Sequence, residues 1–174
     1  LDHHKTAQED LAGFGLPENC WLNHKIAVDL WEAQGHIEGQ RPFVRASFDM
    51  ARSGAGLAWD YFFAGEKRPK LIDHIEDRDL WRFALPRTSE IQATVFSHPY
   101  DFDVWDNLME AAESEVGVAR LAAEGTAIDR KMLKDIAELL GVATRRMVIG
   151  GVEVPVVNLP YTMASEAAGK LAEG

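Results

Sequence analysis

The sequence has little of what marks secreted, membrane-spanning or nucleic-acid-coating proteins. Cys20 is its only cysteine, so no intramolecular disulfide can form, and we expect a reducing, cytoplasmic setting. No apolar run approaches the roughly 20 residues that a membrane-spanning helix needs. The net charge of -10 argues against a broad basic surface, and therefore against binding of long duplex nucleic acid.

The rest of the composition is that of a soluble globular protein. Hydrophobic residues make up 47% and charged residues 26% of the 174 positions. This length suffices for one domain with its own core, or for one domain and part of another. The chain does not begin with Met, and its last residues read as a helix that has just begun. We therefore expect an internal piece of a longer protein.

Most of the chain has the pattern of a helical body. Ser53 and Pro69 are typical of helix starts, and Gly65 is typical of a helix end. Residues 44–50 alternate as a strand does, whereas 21–34 fit either a helix or two short strands. Helices are predicted over about 53–65, 69–81, 88–97, 102–113, 114–124 and 128–141.

The pattern changes after Gly141. Two β-rich runs flank Gly150 and Gly151, a pair typical of tight hairpin turns, and a helix begins near Met163. The predicted fold class is therefore mainly α with a small β component. We divide the chain into 1–141, a helical body, and 142–174, a linker followed by the start of a second domain.

The first candidate for chemistry is the triplet Asp2-His3-His4. Neutral imidazole binds Mn, Fe, Co or Zn, and a neighbouring carboxylate can orient the ring or bind the metal itself. Taken alone, such a triplet is more often a polar chain end than a metal site.

Two further stretches each have a functional and a structural interpretation. In IEDRDLW, residues 75–81, the functional interpretation is that Asp77 or Asp79 binds a metal and Arg78 binds a phosphate. The structural interpretation is that these charges are solvated at a helix end. In FDMARSGAGLAW, residues 48–59, the small side chains around Gly54 could expose amides to an anion, or allow tight helix packing.

Taken in order, three stretches resemble motifs of the DHH phosphoesterase superfamily: DHHKT, FDMARSGAGLAWDYF and IEDRDLWRFALP. The likeness is to bacterial DHH phosphohydrolases related to short-oligonucleotide nucleases and exopolyphosphatases. The stretch VEVPVVNLPYTMASEAAGKLAEG, 152–174, resembles the start of that family's accessory substrate-binding domain. The resemblance covers essentially the whole chain, and it implies that 1–141 is the C-terminal portion of a DHH α/β domain.

The resemblance implies a specific chemistry. Such enzymes use divalent metals, usually Mn²⁺ and alternatively Mg²⁺ or Co²⁺, to hydrolyse phosphoester or phosphoanhydride bonds. Carried over residue by residue, it makes His3 and Asp77 metal ligands. It makes Asp2 and His4 catalytic residues, the first supporting His3 and the second lying near the phosphate. It makes Arg78 a substrate contact.

The chain departs from the family pattern at both ends. The family's first two aspartate motifs would precede Leu1, and the glycine-rich, histidine-containing motif of the accessory domain would follow Gly174. We therefore expect about half of a metal site, weak Mn²⁺ binding and little hydrolysis by this polypeptide. We also expect self-association through uncovered apolar surface.

Two functions from different classes stay open at this stage. One is a phosphohydrolase that acts on a phosphorylated small molecule, a short oligonucleotide or polyphosphate. The other is a non-catalytic helical module that binds a partner. Among the other histidines His74, one helical turn before Asp77, is the best candidate for a further ligand. Trp81 belongs either to the core or to the border of a substrate cleft.

Overall fold

The computed structural model describes residues 4–10 and 48–172, and this part of the chain is mainly helical with one small sheet. The predicted strand over 44–50 lies mostly outside the described residues, and the ambiguous segment 21–34 lies wholly outside them. The elements are α1 (Lys5–Asp10), α2 (Gly54–Phe62), α3 (Lys70–Asp79), α4 (Thr88–Ser97), α5 (Phe102–Ala112), α6 (Glu115–Ala143), β1 (Arg145–Ile149), β2 (Val152–Val156), a 3-10 turn (Tyr161–Met163) and α7 (Ala164–Ala172).

Local capping explains where several helices begin. The hydroxyl of Ser53 accepts a hydrogen bond from the N–H of Gly56 at 3.0 Å, which confirms the predicted start of α2. Asp101 and Ser114 cap α5 and α6 in the same way. These caps satisfy backbone donors that the first turn of a helix leaves without partners.

The prediction of separate helices over 114–124 and 128–141 is wrong, because α6 runs unbroken for 29 residues. Gly125, which lies between the two predicted ranges, is inside this helix. A Cβ at Gly125 would stand 1.7 Å from the carbonyl oxygen of Glu90, so α4 and α6 touch through their backbones here. The hydroxyl of Thr94 donates to the carbonyl of Leu121 at 2.7 Å beside this contact.

The core lies where α3, α4, α5 and α6 meet. Its members are fully or almost fully buried apolar side chains from all four helices: Leu71, Ile91, Val95, Leu108, Ala112, Leu121 and Ala122. The apolar stripes of these helices therefore face one another, and their polar faces remain outside.

The predicted hairpin is confirmed. β1 and β2 pair antiparallel around Gly150 and Gly151, whose φ angles of 59° and 83° suit glycine in a two-residue turn. The register pairs Ile149 with Val152 and Met147 with Val154, so these four side chains share one face. No helix in the part of the chain that the structure covers is long and apolar enough to cross a membrane.

Candidate functional site

The residues predicted to form the site are not all within the described part. Asp2 and His3 lie outside it, so their predicted roles stay predictions. His4 is exposed, and its carbonyl accepts the N–H of Gln8 at the start of α1. Asp77 and Arg78 lie in the last turn of α3, where the structure assigns each of them a distinct environment.

Asp77 is buried, with 4% of its surface exposed. Its Oδ1 accepts a hydrogen bond from the N–H of Ala84 at 2.8 Å. Its Oδ2 accepts from the N–H of Leu85 at 3.0 Å and from the hydroxyl of Thr88 at 2.7 Å. The carboxylate thus ties the end of α3 to the following loop and to the first residue of α4. Asp79, the alternative ligand, is exposed.

The protonation state of Asp77 follows from these contacts. Burial would raise its pKa, but hydrogen bonds from Thr88, Leu85 and Ala84 and the charge of a nearby His74 outweigh burial and lower the pKa below its usual value. Asp77 is therefore ionised at neutral pH, as a ligand or a charged hydrogen-bond acceptor must be.

His74 extends this buried polar chain. Its Nδ1 lies 2.9 Å from the hydroxyl oxygen of Thr88, whose own proton points to Asp77. Nδ1 must therefore donate, and a neutral ring then keeps its lone pair on Nε2. Burial lowers the pKa of His74, although the charges of Asp77 and Asp73 act in the opposite direction.

The loop after α3 has an unusual backbone. Trp81, Phe83 and Arg87 have φ angles of 55°, 48° and 65°, a left-handed conformation that costs a residue with a side chain of order 1–3 kcal/mol. Asp77 helps to offset this cost, since its carbonyl also accepts the N–H of Arg82 at 2.8 Å.

The outcome of this loop conformation is an exposed aromatic pair. The rings of Trp81 and Phe83 meet edge to face, with centroids 5.1 Å apart, and remain 48% and 40% exposed. Trp81 therefore lies outside the core, and it borders a cleft. That this cleft binds a substrate stays a prediction.

Arg78 is held by residues far away in the sequence. Its guanidinium forms an ion pair with Glu166 in α7 and lies 5.5 Å from the ring centre of Phe96 in α4. Arg78 thus connects α3 to two other helices, and it is fixed at the edge of the same cleft as Trp81.

This cleft has a volume of about 660 Å³ and lies between α4, α6, α7 and the loop that carries Trp81. Its lining combines aromatic, polar and charged side chains, among them Arg78, Trp81, Phe83, Gln92, Phe96, Tyr100, Asp129, Tyr161, Glu166 and Lys170. A Cβ at Gly169 would lie 3.3 Å from the Trp81 ring, so α7 closely approaches the loop. A cleft of this size fits a small organic ligand.

Two polar residues in the cleft are in unfavourable surroundings. Gln92 is 2% exposed, and its Nε2 has no hydrogen-bond partner among the residues that the structure describes. Burial raises the pKa of Asp129, and the negative charges of Glu90 and Glu166 raise it further. Such costs are common where a site is built for a ligand.

The glycine-rich start of α2 is occupied by the protein itself. The carboxylate of Glu76 accepts the N–H of Ser53 at 2.9 Å, and Arg68 binds the same carboxylate at 3.1 Å. A Cβ at Gly56 would stand 2.2 Å from Glu76 Oε2. This geometry favours the structural interpretation of residues 48–59, because an internal carboxylate fills the place of the anion.

The described residues contain no complete ligand set for a metal ion. Within 4–10 and 48–172, no three His, Cys, Asp or Glu side chains converge as a metal site requires. Asp77 also accepts three hydrogen bonds that a metal would have to share or displace. His3 and Asp77 therefore stay predicted ligands, with the position of His3 outside the described residues.

Of the residues that line the cleft, sequence reasoning identified only Arg78 and Trp81, and among those it missed are Gln92, Phe96 and Glu166. Gln92 and Phe96 had no distinguishing signal, since each reads as one more residue of an ordinary helix. Glu166 meets Arg78 across 88 positions of sequence, a pairing that local patterns do not reveal.

Comparisons with known proteins add one relative. The chain is 34% identical over 110 residues to an uncharacterized protein of Acanthamoeba polyphaga mimivirus, a match that covers 63% of this chain and 20% of that protein. The chain thus spans about a fifth of the relative's length. No family model matches the sequence. No solved structure matches it either.

Proposed function

We propose that this chain is part of a metal-dependent phosphohydrolase of the DHH type. Its substrates would be small nucleotides, short oligonucleotides or polyphosphate, and its metal Mn²⁺, with Mg²⁺ or Co²⁺ as alternatives. The observation that supports this best is that two residues of the motif IEDRDLW, Arg78 and Trp81, border one cleft lined by polar and aromatic side chains.

Arg78 has the properties of a phosphate contact. A guanidinium carries five N–H donors in a planar fork that matches phosphate oxygens. The ion pair with Glu166 and the ring of Phe96 fix its orientation and use only part of those donors. A substrate phosphate would therefore meet an arginine that is already positioned.

The remaining roles come from the family resemblance. His3 and Asp77 are proposed as metal ligands, Asp2 as the carboxylate that supports His3, and His4 as a group near the phosphate. The buried, ionised state of Asp77 is compatible with a ligand role. Its present hydrogen bonds show that it also stabilises the loop after α3, so a metal role would be an additional one.

The proposal is tested by hydrolysis. The protein encoded by the complete reading frame that contains this sequence should hydrolyse bis-p-nitrophenyl phosphate, short RNA, dinucleotides or polyphosphate when Mn²⁺ is present. His3→Ala should lower kcat/KM by more than about 100-fold, beyond the 10–100-fold loss typical of residues that only support a metal ligand. Glu124→Gln, an exposed change on the outer side of α6, serves as the control.

Two results would contradict the proposal. One is the absence of metal-stimulated hydrolysis of every substrate in the panel by the folded protein. The other is full activity of the His3→Ala variant.

Arg78→Lys keeps the charge but loses the planar fork, so we expect a higher KM with a smaller change in kcat.

A partner-binding role has its own support. The hairpin carries exposed apolar side chains, with Met147 53%, Ile149 57% and Val152 62% exposed on one face. Contiguous exposed apolar surface commonly marks a protein interface. We therefore keep self-association, or binding of another protein through the hairpin, as the second candidate function.

A further inference from the structure

One residue that lines the cleft, Gln92, carries an enclosed donor that the described part of the protein does not satisfy. Gln92 in α4 is 98% buried, and its Nε2 has no hydrogen-bond partner in the described part of the chain. Neighbouring buried polar groups on the same helix are paired, since Thr88 donates to Asp77 and Thr94 to the carbonyl of Leu121. An unpaired buried amide is costly unless a ligand supplies an acceptor.

The walls around Gln92 are unusually rich in exposed aromatic rings. Trp81, Phe83, Phe96 and Tyr161 all line the cleft, with 40% to 89% of their surfaces exposed. The left-handed loop holds the first two in place, and Arg78 covers part of the third. Exposed rings that converge on a cleft offer flat faces on which a flat ligand can stack.

The charges of the cleft favour a neutral group over a highly charged one. Arg78 and Lys170 are balanced by Asp129 and Glu166, so the charged side chains of the cleft carry no net positive charge. A site for a chain of phosphates would need a surplus of cations. This cleft instead combines aromatic walls with balanced charges and neutral polar groups, the amide of Gln92 among them.

We propose that the cleft binds a nucleobase, whose flat face lies against the aromatic walls. Gln92 Nε2 is enclosed by protein, so a change of the Gln92 rotamer brings it to the cleft surface, where a carbonyl oxygen or ring nitrogen of the base accepts its hydrogen bond. The volume of about 660 Å³ is sufficient for a nucleoside. That this base belongs to a nucleotide whose phosphate is hydrolysed rests on the proposed function. The binding of the base itself rests only on the cleft, and it selects nucleotides over polyphosphate as the substrate class.

Nucleoside binding can be measured without any metal or hydrolysis. The purified chain, in EDTA, is titrated with adenosine, guanosine, cytidine and uridine, and binding is followed by calorimetry and by quenching of tryptophan fluorescence. At least one nucleoside should bind saturably. Gln92→Leu should weaken that binding about tenfold, the effect of one lost hydrogen bond. It should not lower the unfolding temperature, because it removes an unpaired donor.

A second pair of variants separates stacking from general surface effects. Tyr161→Ala removes an 89% exposed ring from the cleft and should weaken nucleoside binding. Phe102→Ala removes a 90% exposed ring at the start of α5, outside the cleft, and should leave binding unchanged. These exposed positions tolerate truncation, so the test holds even if Gln92→Leu fails to fold.

The outcomes separate this inference from the proposed function. Absence of saturable binding by all four nucleosides would overturn the nucleobase site, as would unchanged affinity in folded Gln92→Leu and Tyr161→Ala. Tripolyphosphate binding without nucleoside binding would overturn it too. Nucleoside binding together with no Mn²⁺-stimulated hydrolysis by the complete protein would support the nucleobase site and contradict the phosphohydrolase.

Discussion

At the scale of single residues, replacing Asp77 with Asn changes the charge while almost preserving the shape. The amide would accept fewer of the hydrogen bonds from Ala84, Leu85 and Thr88, and its own NH2 group would face at least one of these donors. We expect a loss of about 2 kcal/mol in the free energy of unfolding, measured by urea denaturation.

The matched control for this change is Asp79→Asn, two positions on and exposed. It should alter the free energy of unfolding by less than about 0.5 kcal/mol, as surface substitutions usually do. Equal destabilisation by the two variants would show that the buried hydrogen bonds of Asp77 do not hold the loop.

The lowered pKa of His74 predicts how the free energy of unfolding depends on pH. Folding lowers its pKa, chiefly through burial, while the unfolded value stays near 6.5. Below about pH 6.5 the unfolded chain binds more protons than the folded chain. The contribution of His74 to the free energy of unfolding is therefore fully present above about pH 6.5, and it is lost as the pH falls below that value. Asp77 and Glu76 also have lowered pKa values, and their contribution is lost only in more acidic solution, below about pH 4.

Urea denaturation at about pH 7.5 and about pH 5.5 checks this expectation. The midpoint should fall between the two values in the wild-type protein. In His74→Gln the fall should be smaller, because no imidazole is left to take up a proton at this position. An undiminished fall in the variant would assign the pH dependence to other groups.

At the scale of elements, the contact between α4 and α6 depends on one glycine. Gly125→Ala would place a Cβ 1.7 Å from the backbone oxygen of Glu90 and 2.8 Å from the hydroxyl oxygen of Thr94, so the helices would have to separate. We expect a loss of at least about 2 kcal/mol in the free energy of unfolding, because backbone cannot move aside as a flexible side chain does.

The same helix offers a matched control. A Cβ at Gly141 meets nothing within 4 Å, so Gly141→Ala gains helix propensity without a clash. We expect it to stabilise the protein by about 0.5–1 kcal/mol. Thermal unfolding of the two variants should therefore shift in opposite directions, and a shift in the same direction would contradict the close packing at Gly125.

This element also shows what sequence patterns can predict. The cap at Ser53, the Gly150-Gly151 hairpin and the bounds of α4 depend on neighbouring residues, so the sequence predicted them correctly. The close packing at Gly125 depends on the approach of Glu90, 35 positions away, and patterns of neighbouring residues do not reveal it.

The same limit applies to the candidate cleft. The sequence singled out the charged stretch around Arg78 as a candidate, yet the partners of Arg78, Glu166 and Phe96, come from other helices. The position of Trp81 depends on a left-handed loop that the buried carboxylate of Asp77 stabilises. Periodicity predicts which face of a helix is apolar, and it carries no information about such long-range hydrogen bonds.

At the scale of the whole molecule, the hairpin after α6 is largely exposed. A two-stranded sheet is marginally stable alone, and one face of this one exposes Met147, Ile149 and Val152. The opposite face is more polar and carries the ion pair between Arg146 and Glu153 at 3.1 Å. This asymmetry makes the apolar face the candidate contact surface of the hairpin.

We expect that surface to be a second copy of the chain. Light scattering should show a mass that rises with protein concentration, and Ile149→Lys should shift the protein towards monomer because it places a charge in the apolar face. Val116→Lys is the matched control, since Val116 is 82% exposed near the start of α6 and distant in sequence from the hairpin. A wild-type monomer at all concentrations, or an equal effect of the two lysines, would exclude self-association through the hairpin and leave its apolar face for a different protein partner.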